Sequence, residues 1–210
     1  MNLTTNWGYS LKTCSEFPEL LSTAEFNTFT ANKFSGDGRI EAEIKSASAA
    51  IRNYCGWHIY PNLQCTYVER LLYGNGRTKI VGCDMMVQLP SRFVMSVVAV
   101  KVNDVEYTDY DCDTNGILHI FDVAKLYIGR KSKIEVVFNS GVPASLVQPV
   151  KGVVANRVNH SLSSPNGIAS ESAGGVSISY NQSWVNSSSS SALADNDKET
   201  LDFYKIKGVF

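Results

Sequence analysis

The sequence predicts an α+β protein. A small helical core of three to four helices carries an inserted antiparallel β-barrel or sandwich lobe and ends in an extended C-terminal arm. Three observations lead there. A long amphipathic helical stripe runs up to residue 55. It is followed by short strand-like runs separated by Asn, Asp and Gly turns. Beyond residue 163 lies an almost uncharged Ser-, Asn- and Gly-rich tract, then one short helical pattern. The expected boundaries are 1–58 for the N-terminal helices of the core and 59–140 for the β lobe. A further core helix spans 141–162, the arm with its serine linker 163–192, and a C-terminal docking helix and tail 193–210.

Taken in order, "EFPELLSTAEFNTFT" (16–30) predicts a short helix with Leu20, Leu21, Phe26 and Phe29 on its apolar side. The loop "NKFSGDGR" follows, with Ser35 or Asp37 placed to cap the next helix. In that helix, 38–55, Ile40, Ile44, Ala47, Ile51 and Tyr54 recur at spacings of four and three residues and draw one apolar stripe. Gly56 falls where a left-handed C-terminal cap belongs, and Trp57 follows it out of the helix.

From Ile59 to Phe138 the period shortens to two. "CTYVERLLY" and "RTKIV" flank Gly74-Asn75-Gly76 and predict a hairpin. "SVVAVKVNDVEYT" sets Val98, Val100 and Val102 on one face, with a turn at Asn103-Asp104. "GILHIF", "KLYIG" and "KIEVVF" supply further strands. "SGVPASLVQPVKGVVANRVNH" returns to a helical period, with Pro143 suited to a first turn and Leu146, Val147, Val150, Val154 and Val158 as the stripe. Pro149 and Gly152 inside it predict a kink or a late start. The closing "DNDKETLDFYKIKGVF" predicts a short helix capped by Asp195 and carrying Leu201, Phe203 and Tyr204.

Composition narrows the function classes. The 210 residues carry a formal net charge of -1, which gives no general drive toward nucleic acid or an anionic membrane. No stretch approaches the roughly 20 apolar residues of a spanning helix. The N-terminal "MNLTTNWGYSLKT" lacks a signal-peptide pattern, and five scattered cysteines without a CxxC pair fit free thiols in a reducing compartment. Glycosylation triplets at Asn2, Asn159, Asn181 and Asn186 then carry no meaning.

Two candidate sites invite chemistry. Cys55 and His58, three residues apart, offer half of a zinc site or a cysteine–histidine pair. Neither the other cysteines nor His119 and His160 supply the missing half, so both residues are expected to be structural. The stretch Asp111–Asp122, "DCDTNGILHIFD", fits the calcium-loop template except at its last position, where Asp122 replaces Glu. Asp111, Asp113 and Asn115 would offer oxygens and Gly116 the sharp turn. Strand-like flanks favour an ordinary hairpin loop. The acidic run from Asp104 to Asp113 is expected to be solvated. No phosphate loop, GxSxG elbow or HExxH is present, so neither enzyme activity nor a cofactor or bound metal is expected.

What needs explanation is the arm. Between Ser163 and Ala192 the only charge is Glu171, yet Val176, Ile178, Tyr180 and Trp184 alternate as on one strand face. An isolated strand of this kind is unstable in water and invites pairing with a neighbouring subunit. The aromatic helix beyond the five serines at 187–191 is expected to be a second docking element.

The stretches "RIEAEIKSASAAIRNYCGWHIYP", a β insertion with a "GIL" hairpin, "ASESAGGVSISYN" and "LDFYKIKGV" together resemble the adaptor, or head–tail connector (head-completion), proteins of tailed bacteriophages. The resemblance spans most of the chain in order, and "I-x-x-YCGWHI-x-P" and "SESAGGVSxSY" are its specific parts. It implies a non-enzymatic virion protein that forms a ring, typically of twelve subunits, beneath the portal protein. Such a protein is assembled in the host cytoplasm and continues the channel for passing double-stranded DNA without sequence recognition. It implies that Ala169 to Tyr180 embrace a neighbouring subunit. It also implies that the C-terminal segment, with Leu201, Phe203, Tyr204, Ile206, Val209 and Phe210, reaches the portal while the other side receives the next connector or tail component. The competing expectation is a calcium- or carbohydrate-binding β module of a virion or cell-surface protein.

Overall fold

The computed structural model describes residues 2–12, 14–71, 77–123, 132–163, 170–173, 176–179 and 193–206. The fold is mixed α+β, and the described residues form four helices and two larger antiparallel sheets of six and four strands. The chain divides into two compact units. A β unit comprises Met1–Pro18, Cys55–Leu146 and Tyr204–Phe210, and a helical unit comprises Glu19–Tyr54 and Val147–Phe203.

In the β unit the six-stranded sheet contains β1 (Leu3–Thr4), β2 (Tyr9–Leu11), β3 (Leu63–Arg70), β6 (Val94–Val102), β7 (Val105–Tyr107) and β10 (Lys133–Ser140). Their order is β1-β2-β3-β10-β6-β7. The four-stranded sheet contains β4 (Thr78–Val81), β5 (Asp84–Gln88), β8 (Tyr110–Cys112) and β9 (Ile117–Ile120), in the order β4-β5-β9-β8. Alternation in β10 is strict: Ile134, Val136 and Phe138 are buried while the residues between them are half-buried. They share one core with Leu11, Cys65, Tyr67 and Val100 of the larger sheet and with Met85, Val87, Leu118 and Ile120 of the smaller. The strands therefore make two sheets over a common core rather than a closed barrel, and the sandwich form of the expected lobe is the one found.

Several expectations change here. Among the described residues "CTYVERLLY" and "RTKIV" do not pair: β3 lies between β2 and β10, while β4 pairs with β5 in the other sheet. The turn residues 74–76 lie outside the described residues, as does "KLYIG". The turn at Asn103-Asp104 forms as expected, with φ of +52° and +64° at the two residues. Val98 does not share the buried face of Val100 and Val102. It is the extra residue where Val137 pairs with Ala99 and Phe138 with Val97, and it is 51% exposed. A second shift, at Asn139/Ser140, leaves Met95 unmatched and exposed in the same way.

The N-terminal stretch also belongs elsewhere than expected. Instead of joining the helical core, Tyr9, Ser10 and Leu11 pair with Tyr67, Thr66 and Cys65, and Tyr9 and Leu11 enter the β core. Alternation over three residues after Gly8 is too short a signal to stand out in a sequence. At the other end Tyr204 is counted in the β unit, although the residues before it are helical.

In the helical unit, α1 (Thr23–Phe29) is shorter than predicted. Ser22 caps it, in a box with Glu25, so Leu20 and Leu21 are buried ahead of the helix and Phe29 is 56% exposed. α2 (Ile40–Cys55) follows its stripe, with Ile40, Ile44, Ala47 and Ile51 all buried. The Asp37 carboxylate accepts the Arg39 backbone N–H at 2.9 Å, and Gly56, at φ +80°, ends the helix as predicted. α3 (Gln148–Ser163) starts late, with Pro149 in its first turn where its missing N–H removes no helical bond. Pro143 is thus outside the helix, and Leu146 is 45% exposed rather than part of the stripe. α4 (Asp195–Asp202) has Ala194, not Asp195, at its N-cap, because Asp195 turns outward to Lys198 at 2.8 Å. Asp197 instead accepts the Ala194 backbone N–H; burial pushes its carboxyl up, and the Arg157 charge opposes that rise.

Candidate functional site

The Cys55–His58 stretch is the natural starting point, since it holds the one Cys/His pair that the sequence singles out. α2 ends at Cys55, and Gly56 turns the chain into the β unit. Trp57, His58 and Ile59 are all buried. Tyr9 reaches across and donates its hydroxyl proton to His58 Nδ1 at 2.9 Å, while the same oxygen accepts the His58 backbone N–H at 3.0 Å. A carbonyl can only accept, so the 2.8 Å contact between His58 Nε2 and the Ser140 oxygen fixes the proton on Nε2. Both ring nitrogens are thereby occupied, and neither is free to act on the Cys55 thiol or to bind a metal. The pair is structural.

The same junction receives the end of the described chain. Trp57 Nε1–H donates to the Tyr204 carbonyl at 2.7 Å, and the Tyr204 hydroxyl donates to the Leu146 carbonyl at 2.7 Å. The Ile206 N–H reaches the Cys55 carbonyl at 3.1 Å, satisfying an acceptor that the end of α2 leaves open. Phe93 stacks between Trp57 and Tyr204, with centroids 6.3 and 6.4 Å away. Tyr9, Phe93, Ser140 and Tyr204 complete the cluster from four separate parts of the sequence. Only Tyr204 had been singled out, and for a different role.

The residues expected to dock on a portal differ in how far they are exposed. Leu201 is fully buried in the helical unit and Tyr204 is 4% exposed in the β unit. Neither side chain can meet a partner while it stays there. Among the described residues of the segment Phe203, at 56%, is the exposed aromatic, and Ile206 is half-buried. Val209 and Phe210 lie outside the described residues, as do Tyr180 and Trp184 of the expected arm.

The other two arm positions, Val176 and Ile178, fall on a strand. β11 (Ser170–Ala173) and β12 (Val176–Ser179) form an antiparallel hairpin, with Glu171 opposite Ile178 and Ala173 opposite Val176. Among the described residues this hairpin is a two-stranded sheet of its own.

The calcium-like stretch is divided by a strand. Asp113 Oδ1 accepts the Ile117 N–H at 2.8 Å and its carbonyl accepts the Gly116 N–H, closing a hairpin turn between β8 and β9. Gly116 sits at φ +87°, and a Cβ there would run into the Ser91 carbonyl. Asp122 lies beyond the far end of β9, where its N–H donates to Asp84 Oδ1 at 2.9 Å. Four strand residues span about 13 Å, so Asp122 is at the opposite end of β9 from Asp113 and cannot close one cage with it. The local turn accounts for Asp113 and Gly116 of this loop.

Two of the cysteines are held protonated by their surroundings. Burial pushes the Cys65 thiol up, and burial with the neighbouring Asp113 and Asp111 pushes Cys112 up to about 12, so both stay protonated and unreactive at neutral pH. The described residues contain no group of three or more His, Cys, Asp or Glu placed to hold a metal ion. None of their helices is long and apolar enough to cross a membrane. Comparison of the sequence with protein-family models and with curated proteins finds no match.

Proposed function

We propose that this chain is a structural ring adaptor of a tailed-bacteriophage virion, seated beneath the portal and joining capsid to tail. The observation that carries the reading is the β11–β12 hairpin. Its strands, Ser170–Ala173 and Val176–Ser179, lie within "SESAGGVSxSY", one of the two specific stretches of the resemblance, and among the described residues the hairpin belongs to neither of the larger sheets. Two four-residue strands do not bury enough to hold themselves in water, which suits a segment that completes its structure on a neighbour. The other specific stretch, at Ile51–Pro61, supports a non-enzymatic role because its His58 is consumed by structural hydrogen bonds.

The net charge of -1 suits a conduit through which DNA slides rather than one that holds it. On this reading the subunits associate around the channel, typically twelve to a ring, with the portal on one side and the next connector or tail component on the other. Electron microscopy of the protein mixed with its portal tests it. The expected result is a twelve-fold ring capping the portal; a chain that neither associates nor binds the portal ends the reading. No contact among the described residues favours the calcium- or carbohydrate-binding alternative.

A further inference from the structure

The hairpin needs an acceptor, and the sheets offer four edges. Among the described residues the six-stranded sheet ends at β1 and β7 and the four-stranded sheet at β4 and β8. β1 has only two residues, while β4 has four, the same length as β11 and as β12. β4 pairs with β5 over Thr78↔Val87 to Val81↔Asp84, and among the described residues no strand pairs with the N–H and C=O groups of its other side. Ile80 and Val81 are 54% and 51% exposed, so both faces of this edge show apolar side chains to solvent. The strand is also held in place: Thr78 donates its hydroxyl to Glu69 Oε2 at 2.6 Å, and Tyr67 donates to the same oxygen at 2.8 Å. A fixed edge loses little freedom when a strand adds to it.

Charge separates the three longer edges. The hairpin has one charged residue, Glu171, in the middle of β11. Glu106 stands in the middle of β7 and Asp111 in the middle of β8, and either would set like charges side by side. β4 instead carries Lys79, which is exposed.

We propose that the free edge of β4 receives the β11–β12 hairpin of a second copy of this chain, with β11 alongside β4 and Glu171 near Lys79. The four-stranded sheet then continues across the subunit boundary as β8-β9-β5-β4 followed by the neighbour's β11 and β12. This rests on the ring reading of the arm and names the surface that the arm occupies.

Charge reversal tests it, with self-association of the full chain measured by sedimentation across a concentration series. Lys79→Glu and Glu171→Lys are each expected to weaken association about tenfold, since one adverse contact of about 1.4 kcal/mol is a tenfold change. The double variant is expected to recover association to within about threefold of the unaltered chain. An equimolar mixture of the two single variants is also expected to recover in part, because each hairpin of one then meets a complementary edge of the other.

The outcomes separate cleanly. Recovery in the double variant without recovery in the mixture places the contact within one chain and overturns the second-copy assignment. Association unchanged by either reversal removes β4 as the acceptor and leaves the ring reading standing. An unaltered chain that stays monomeric at every concentration, with or without portal, removes both.

Discussion

At the level of single residues, the junction after α2 shows how a residue pair that looks reactive becomes inert. His58 is 1% exposed and yet satisfied, because Tyr9 serves its ring Nδ1 and its backbone N–H with one oxygen and the Ser140 carbonyl takes Nε2–H. Buried polar groups with partners cost little; the same groups without partners cost about 1–3 kcal/mol. Tyr9→Phe removes the partner of both His58 atoms and leaves the ring packing beside Phe138 nearly unchanged. It is expected to lower unfolding free energy by about 2 kcal/mol, with far-ultraviolet circular dichroism unaltered. A urea titration checks this. A midpoint unmoved by the substitution would mean that the Tyr9 hydroxyl is not what holds His58, and the structural reading of the pair would fail with it.

Among the elements, electrostatics joins α1 to α3 inside the helical unit. Glu25 closes the capping box with Ser22, accepting its backbone N–H at 2.9 Å, and also meets the ammonium of Lys151. The Lys151 hydrogen bond, then the Ser22 backbone N–H, hold the Glu25 carboxyl down to about 2 from 4.5. A carboxyl lowered on folding contributes stability that is complete above its unfolded pKa and is lost as pH falls toward the folded value. The window here is therefore about pH 4.5 down to about 2. Because the Glu25 side chain is 46% exposed, water screens much of the effect, and about 1 kcal/mol is a reasonable size. Glu25→Gln keeps a capping amide at the same position and removes only the charge. Its unfolding free energy is expected to fall below the parent's by about that amount at pH 7 and to converge with it near pH 2; equal slopes between pH 5 and pH 2 would refute the assignment. The sequence made the two long helices legible because α2 repeats its apolar spacing over four turns, and Pro149 dictated the late start of α3. It left β1 and β2 hidden, because two or three residues cannot display a period, and the β3 partner that ties β2 into the sheet lies more than fifty residues away. The bulges at Met95 and Val98 were equally invisible, since an inserted residue changes face only in the context of its partner strand. The His58 site was half legible: its inertness followed from missing ligands, but Tyr9 and Ser140 could be found only by folding the chain.

For the whole molecule, the C-terminal segment is the part whose role changes most. Sequence alone made 193–210 a free docking element, because aromatic residues after a serine run resemble a peptide awaiting a partner. Folding instead buries Leu193 and Leu201 in the helical unit, where Tyr54 also donates its hydroxyl to Asp202 at 2.6 Å. The next residues, Tyr204 to Ile206, are bonded to Trp57, Leu146 and Cys55 within the β unit. If the segment reaches a portal, Phe203 is the exposed aromatic side chain that its described residues offer. This separates the arm from the tail in a way that limited proteolysis can read. The Ser- and Asn-rich composition of 181–192 offers a protease many small polar sites, and chymotrypsin has Trp184 within it. Brief chymotrypsin treatment of the isolated protein is expected to cut there while sparing Leu201, Phe203 and Tyr204, so that the C-terminal fragment stays bound and elutes with the remainder on gel filtration. Tyr204→Ala removes the stacking on Phe93 and the hydrogen bond to Leu146, and is expected to open Phe203 to cleavage at least tenfold faster, because about 2 kcal/mol of local holding is lost. Equal cleavage rates at Trp184 and Phe203 in the unaltered protein would show that the tail is not held, and the portal-docking role would return to the whole of 193–210.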